Sequence, residues 1–259
     1  MNLLSNFFNL VFFKPLLNAL VFIIGIIPFH DVGSAIIVLT IVVRFLIFPL
    51  NHHAITTQIK MKQLEPELKE IKEKFKKDAP EQSKRVMELY KQHGINPLSG
   101  FLNLIIQLPI IFALYKVFTL NATLDPLNLY SFIHSPENIQ IKFLNIFDIT
   151  KKSYLLAFVT GATQFLQMRL ALPPISKKDH ADFAQKINMQ MRYLMPLFVF
   201  FIVSRFASAI AVYWTTMNIF AIIHESIVRR KAMKMIEKNE ETKQNNRIIH
   251  KRNSKKIND

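Results

Sequence analysis

One residue in this chain is chemically out of place. Within Thr40-Ile41-Val42-Val43-Arg44-Phe45-Leu46-Ile47-Phe48-Pro49-Leu50, Arg44 is the only charge, and an arginine at the middle of an apolar helix costs about 2.5–3.5 kcal/mol on insertion scales. Two readings compete. Arg44 precedes Leu50 by six residues, about 9 Å of helix, so its long side chain could snorkel to the end of the segment. Alternatively the guanidinium faces a wet recess among helices. Other apolar segments carry Asn103 and Gln107 beside Pro109, then Thr160, Thr163, Gln164 and Gln167, then Thr215, Thr216 and Asn218 behind Tyr213-Trp214. One such set is ordinary interhelical hydrogen bonding. Recurrence in several segments, together with Arg44, favours a shared hydrophilic recess.

The residue types exclude most covalent chemistry. His52-His53 lack the HExxH frame of a zinc peptidase. No apolar segment holds a pair of acids, which removes the basis for an aspartyl dyad or a proton relay. Only five Gly occur, and none forms a phosphate-cradling loop. There is no Cys, so disulfides, thiolate metal sites and Cys lipidation are excluded. The expectation is a protein that is not an enzyme and uses neither cofactor nor metal.

The elements that position Arg44 are membrane helices. Hydrophobic residues make up 51% of the 259, with 23 Phe, and charge is segregated into stretches between apolar blocks. Five segments could cross a bilayer: Gly33–Leu50, Leu98–Phe118, Tyr154–Leu172, Leu194–Phe206 and Ala207–Ile223. The last two form one apolar run too long for a single span, so a tight turn is expected near Arg205–Ser208. Before them, Leu3–Phe29 is apolar, but its uninterrupted part is short and bounded by Pro15 and Pro28. Nothing basic precedes Lys14 and no signal-peptidase site follows, so an amphipathic helix in the outer interface is expected.

Charge fixes the orientation. His52–Pro97 carries ten Lys/Arg against seven acids, and Ser226–Asp259 eleven against four. Leu170–Tyr193 is basic through Lys177, Lys178, Lys186 and Arg192, whereas Thr119–Thr150 has only Lys142 against Asp125, Glu137 and Asp148. The positive-inside rule puts the basic stretches in the cytoplasm, giving five spans with the N-terminus outside and the C-terminus inside. The net charge of +15 makes anionic lipids or RNA natural partners of the exposed parts.

The first cytoplasmic stretch is patterned. Leu64, Leu68, Ile71 and Phe75 form one helical stripe, Asp78-Ala79-Pro80-Glu81 reads as a capped helix start, and Gly94 with Pro97 reads as a stop. A helical hairpin over residues 53–95 is expected. The organisation is then an N-terminal interfacial segment 1–32, an all-α five-span core 33–225 that includes this hairpin, and a basic tail 226–259.

At these residues the sequence resembles the YidC-type membrane protein insertases, including their mitochondrial and chloroplast members. The likeness runs from about Phe7 to Arg230. It includes Ile41–Leu50, Lys62-Gln63-Leu64-Glu65-Pro66-Glu67-Leu68, Leu89–Leu98, Gln107-Leu108-Pro109-Ile110-Ile111-Phe112-Ala113-Leu114-Tyr115, Thr163–Gln167, Met195-Pro196 and Val212–Asn218. The resemblance implies a bacterial plasma-membrane protein that receives newly made membrane proteins, alone or beside the Sec translocon, in a groove open to cytoplasm and lipid. It implies that Arg44 is the groove arginine, with Thr40, Gln107, Gln164, Gln167 and Trp214 facing it. Tyr213 and Asn218 join this set from the last span. Neither the lipoprotein cysteine of some members nor the large external domain of Gram-negative members is expected. One departure is Phe206-Ala207-Ser208-Ala209, preceded by Arg205, where the family has Phe-Pro-x-Gly at the outer turn.

A wet recess would shorten the dry path for a polar tail, each of whose unpaired backbone groups costs several kcal/mol in hydrocarbon. Arg44 would attract acids on that tail. The basic tail, through Arg229, Arg230, Lys231, Lys234 and Lys251–Lys256, would meet the ribosome or anionic lipid. The alternative is a small transporter or channel, which would show inverted repeats; the sequence has none.

Overall fold

The computed structural model describes residues 3–96, 99–118, 128–134, 136, 138–172 and 183–231, the side chains of 58, 62, 99–106 and 183–188 excepted. The tail beyond residue 231, the loop 173–182 and the side chain of Asn103 therefore lie outside the described residues. The chain forms two compact units, one from Met1–Asn51 and Leu98–Ile223, the other from His52–Pro97 and His224–Asp259.

The first unit begins with helix α1 (Leu3–Phe8), a π turn (Asn9–Phe13) and helix α2 (Lys14–Ile26). Here the structure differs from the short, proline-bounded segment expected. The helix runs unbroken through Pro15 because the π turn shifts the hydrogen-bond ladder: Lys14 N–H bonds Asn9 O, five residues back. A proline has no N–H to contribute and crowds the carbonyl four residues before it, so a widened turn at that point removes the conflict. Leu3–Ile26, 24 residues, is the one helix among the described residues that is by itself long and apolar enough to cross a bilayer. Its stripe Leu17, Leu20, Val21 and Ile24 is buried in the main core. Asn18, also buried, donates to Asn128 O (3.1 Å) and accepts from Tyr130 N (2.7 Å).

Helix α3 (Val32–Leu46) starts on Asp31, whose carboxylate accepts from Gly33 N (2.8 Å) and Ser34 Oγ (2.7 Å). The segment Gly33–Leu50 is not one uninterrupted helix as expected. It breaks at Ile47, and α4 (Phe48–Gln63) restarts behind it, because Pro49 has no N–H for the carbonyl of Phe45 four residues earlier and its ring crowds that carbonyl. Helix α7 (Ser99–Phe118) and helix α8 (Tyr154–Ala171) fall where the apolar segments predict. Helix α9 runs Phe183–Val203, a turn occupies 204–207 where a turn was expected, and helix α10 covers residues 208–231. Arg192, read from the sequence as a loop cation, lies inside α9 and is buried. Its Nη2 donates to Leu172 O (3.1 Å), the residue capping α8. A free helix-end carbonyl is a natural partner for a guanidinium.

The expected all-helical fold is modified by one short ribbon, β1 (Lys142–Phe143) antiparallel to β2 (Phe147–Asp148). Backbone bonds stitch this layer to helix ends on both sides. Val32 N donates to Gln140 O (3.1 Å) and Gln140 N to His30 O (3.0 Å). Across the layer, Ser208 N donates to Lys151 O (2.8 Å) and Ala209 N to Ile149 O (2.9 Å). The turn that departs from Phe-Pro-x-Gly is thus held by loop carbonyls satisfying the first free N–H groups of α10. In the same layer, the Thr150 hydroxyl bonded to Asp148 (2.6 Å) holds that carboxyl below its ordinary range, with Lys151 adding to the effect.

In the second unit, α5 (Glu65–Lys74) and α6 (Ala79–Gln92) pack through Leu64, Leu89 and Ile95, with Leu68 and Ile71 alongside. Asp78 caps α6 by accepting from Glu81 N (3.0 Å), and Gly94 takes the left-handed conformation (φ 62°) that ends it. Glu225 is buried and pairs with Arg229 (2.9 Å); burial pushes its carboxyl up and Arg229 opposes that shift.

Gly33 marks a tight contact of this layer: a Cβ there would sit 2.5 Å from Phe143 Cβ. Gly33→Ala must push β1 away from the start of α3. Overpacking of this kind costs about 1–3 kcal/mol, so the thermal midpoint of the detergent-solubilised variant is expected to fall. An unchanged midpoint would show that the layer yields freely.

Candidate functional site

Among the described residues of the first unit, helix α10 carries most of the cross-helix polar contacts. Its apolar flank, Ala209, Val212, Tyr213 and Met217, belongs to the main core. Consecutive side chains on it then reach different neighbours, since a helix turns about 100° per residue. Tyr213, 3% exposed, accepts at its hydroxyl from Gln107 Nε2 of α7 (2.6 Å), and the same amide nitrogen lies 3.3 Å from Met217 Sδ. Trp214 Nε1 donates to Gln164 Oε1 of α8 (2.9 Å), and Gln164 Nε2 donates to Gln167 Oε1 one turn on (3.2 Å). The hydroxyls of Thr215 and Thr160 share a bond (2.9 Å). Asn218, 2% exposed, donates to Thr163 Oγ1 (3.1 Å) and Thr160 O (3.4 Å).

Pairing on this scale offsets the cost of burying these groups without making the site chemically reactive. Interhelical side-chain bonds inside membrane proteins average about 0.6 kcal/mol each. Their larger effect is positional, because each unmet polar group would cost more than a met one returns.

Arg44 stands apart. It lies in the last turn of α3, where the helix C-terminus favours a cation, and is only 9% exposed. Among the described residues it makes no hydrogen bond or ion pair. A buried guanidinium with five donors and no acceptor is costly unless water or a ligand supplies one. Thr40 is buried one turn earlier, yet its hydroxyl donates to Ile36 O of its own helix (2.6 Å), and among the described residues it makes no cross-helix hydrogen bond.

Of the sequence-derived residues, the structure therefore joins Gln107 with Tyr213, joins Gln164, Gln167 and Trp214, and ties Asn218 to α8. It buries Arg44 one turn beyond Thr40 and leaves Thr40 locally satisfied. Sequence reasoning noted Thr160, Thr163 and Thr215 as polar residues but not as partners. It missed Met217, whose only local signal is its position one turn beyond Tyr213. The close approach of α8 and α9 was also missed. A Cβ on Gly161 would lie 3.1 Å from Phe200 Cβ and 3.3 Å from Pro196 O, which identifies a small-residue helix contact.

Outside this seam the helices present apolar residues to the surroundings. Phe45, Leu46, Phe112, Leu155, Phe158, Phe198 and Phe201 are all more than half exposed. Such a surface is too apolar for water and suited to lipid.

Comparison with known proteins gives these features a lineage. The family model described as 60Kd inner membrane protein matches residues 24–237. Proteins named membrane protein insertase YidC are similar to the chain. That of Wolinella succinogenes is 34% identical over 198 residues, covering 76% of this chain and 33% of the relative. That of Geotalea daltonii is 30% identical over 220 residues, 84% and 37% of the two chains. That of Helicobacter pylori (strain 26695) is 30% identical over 198 residues, 76% and 33%. The chain spans about a third of the length of these curated relatives. With the family model covering most of its residues, Arg44 and the α10 seam included, the chain belongs to the 60Kd inner membrane protein family.

Proposed function

We propose that this chain is the core of a membrane protein insertase of the bacterial inner membrane. In this reading Arg44, Thr40, Gln107, Gln164, Gln167, Tyr213, Trp214 and Asn218 line a hydrophilic groove that receives the polar segment of a nascent membrane protein. The observation that carries it is the buried guanidinium of Arg44, without an acceptor among the described residues. Snorkelling would bring the charge out to head groups or water, whereas a 9% exposed Arg44 favours a recess that water enters. Acidic residues on a translocating tail would supply what the guanidinium lacks, while the tail's apolar helix leaves sideways into lipid. No chemical step is required.

The architecture proposed with it has five crossing helices, in the regions of α3, α7, α8, α9 and α10, with residues 33–225 as core and 226–259 as a basic tail. Residues 1–32 form the interfacial segment. Long-range side-chain contacts of that segment support an outer position: Asn9 to Lys116, Asn18 to Asn128 and Tyr130, and Gly25 beside Pro136. All of these partners lie at or beyond one end of α7. Residues 53–95 form a cytoplasmic helical hairpin, supported by the packed and capped α5 and α6. Partners would be nascent membrane proteins, the Sec translocon, anionic lipids, and the ribosome through hairpin and tail.

Because the chain has no Cys, single cysteines map this topology cleanly. Lys84→Cys and Lys243→Cys should react with an impermeant maleimide only from the cytoplasmic side, and Asn138→Cys and Ser5→Cys only from outside. Reaction of Ser5→Cys from the cytoplasm would make Leu3–Ile26 a sixth span and displace the interfacial reading. Reaction of Asn138→Cys from the cytoplasm would end the five-span reading altogether.

For Arg44, insertion of one substrate with varied tail charge is the discriminating measurement. Arg44→Leu should express normally yet reduce insertion and crosslinking of the acidic-tailed substrate by about five-fold, the equivalent of a partly solvated ion pair near 1 kcal/mol. Neutral tails should be affected less, and Arg44→Lys should recover part of the loss because a point charge still attracts carboxylates. Equal insertion by wild type and Arg44→Leu would remove Arg44 from the mechanism.

A further inference from the structure

Away from the polar seam, the layer built from residues 27–31 and 138–152 contains a pair of costly choices that the proposed insertion route does not use. Phe29 adopts φ 64° and Leu144 φ 52°, the left-handed region, where a side chain crowds its own carbonyl and Gly or Asn is the usual occupant. Both are bulky, apolar and turned outward, 83% and 61% exposed. Each therefore combines backbone strain with an unfavourable contact with water. Each has a neighbour in the same region, His30 at φ 50° and Asn145 at φ 59°, but those residue types enter it more readily than Phe or Leu. Strained positions persist where the surroundings over-determine them, and nothing within the layer covers either side chain.

The two tips belong to one surface. Gln140 N donates to His30 O and Val32 N to Gln140 O, which locks the Phe29 turn to the strand leading into β1. The β1–β2 turn then carries Leu144 together with Ile146, 72% exposed. Around it stand the exposed cations Lys142, Lys151 and Lys152. The apolar surface does not stop there. Immediately after Lys152-Ser153, α8 begins with Tyr154, Leu155 and Phe158, exposed by 71%, 59% and 64%.

We propose that Phe29, Leu144 and Ile146 are lipid-dipping tips that seat the outer layer in the head-group region of the outer leaflet, with Lys142, Lys151 and Lys152 contacting lipid phosphates. Apolar side chains beside lysines that extend toward phosphate form an interfacial anchor. Lipid removes the aqueous exposure of the tips, and the exposed apolar start of α8 is the surface any lipid-facing helix presents. The occupant is phospholipid rather than a protein, since the chain passes from the layer through two exposed lysines directly into the exposed apolar side chains Tyr154, Leu155 and Phe158 of α8. The proposal rests on the outside placement of residues 119–152 in the topology above.

The test uses the whole chain in vesicles of phosphatidylethanolamine and phosphatidylglycerol, with an environment-sensitive fluorophore on Leu144→Cys or, separately, Phe29→Cys. Labelled Asn138→Cys serves as reference. The expected result is blue-shifted emission for both tips, quenching by doxyl-labelled lipid added to the outer leaflet, and loss of quenching by aqueous iodide relative to Asn138→Cys. Changing Lys142 and Lys151 together to Gln should reduce the lipid-borne quenching. Tips quenched by iodide and not by lipid, with Asn138→Cys still reached from outside, would overturn the anchor while leaving the topology standing. Tips shielded from both quenchers would indicate a protein partner and also overturn it. Asn138→Cys reached only from the cytoplasm would instead mean that the topology had failed.

Discussion

Burying a guanidinium in an apolar bundle is the constraint around which the first unit is organised. Arg44 cannot lose its proton at any relevant pH, so the surroundings must accept the charge. The C-terminal turn of α3 offers a favourable dipole, and elsewhere in the same unit Gln107 fixes the Tyr213 phenol by donating to it. Had the neighbouring helices been apolar throughout, Arg44 would have had to reach the end of its segment.

The same economy explains α10. Tyr213 and Met217 belong to the apolar core, yet Trp214, Thr215 and Asn218 bond to α8. One helix thus carries both the packing that holds the bundle and the polar contacts that shape its interior. The Thr160–Thr215 bond and the close Gly161–Phe200 approach fix the α8 contacts with its two neighbours. The proposed route for a polar substrate would need a polar wall that does not collapse, and satisfied interhelical bonds are suited to that.

At the opposite extreme of regularity, the layer of residues 138–152 is held chiefly by backbone bonds to helix ends at Val32, Ser208 and Ala209. Free N–H groups at helix starts are obligatory donors, so an irregular loop that offers carbonyls to them caps the helices and becomes ordered itself. This accounts for a turn at residues 204–207 without the proline and glycine of the family pattern. The loop supplies the restraint that those residues would otherwise impose locally.

The sequence by itself determined whatever depends on neighbours a few residues apart. Apolar length located α7 and α8, Asp78 with Glu81 located the start of α6, Gly94 its end, and the break in the last apolar run the turn at 204–207. Charge segregation and the lone Arg44 pointed to a polar interior, and the order of motifs pointed to the family. Only the tertiary structure decided which polar residues meet. Gln107 with Tyr213, Gln164 with Trp214 and Thr160 with Thr215 are separated by 106, 50 and 55 positions, and no local pattern encodes such pairings. It also decided that Thr40 bonds its own helix, that Arg192 is buried within α9, and that Pro15 sits inside a continuous helix behind a π turn. In each case the physical reason is the same. A backbone or side-chain group in an apolar interior takes whichever partner the packing brings within reach, and packing is a property of the whole chain.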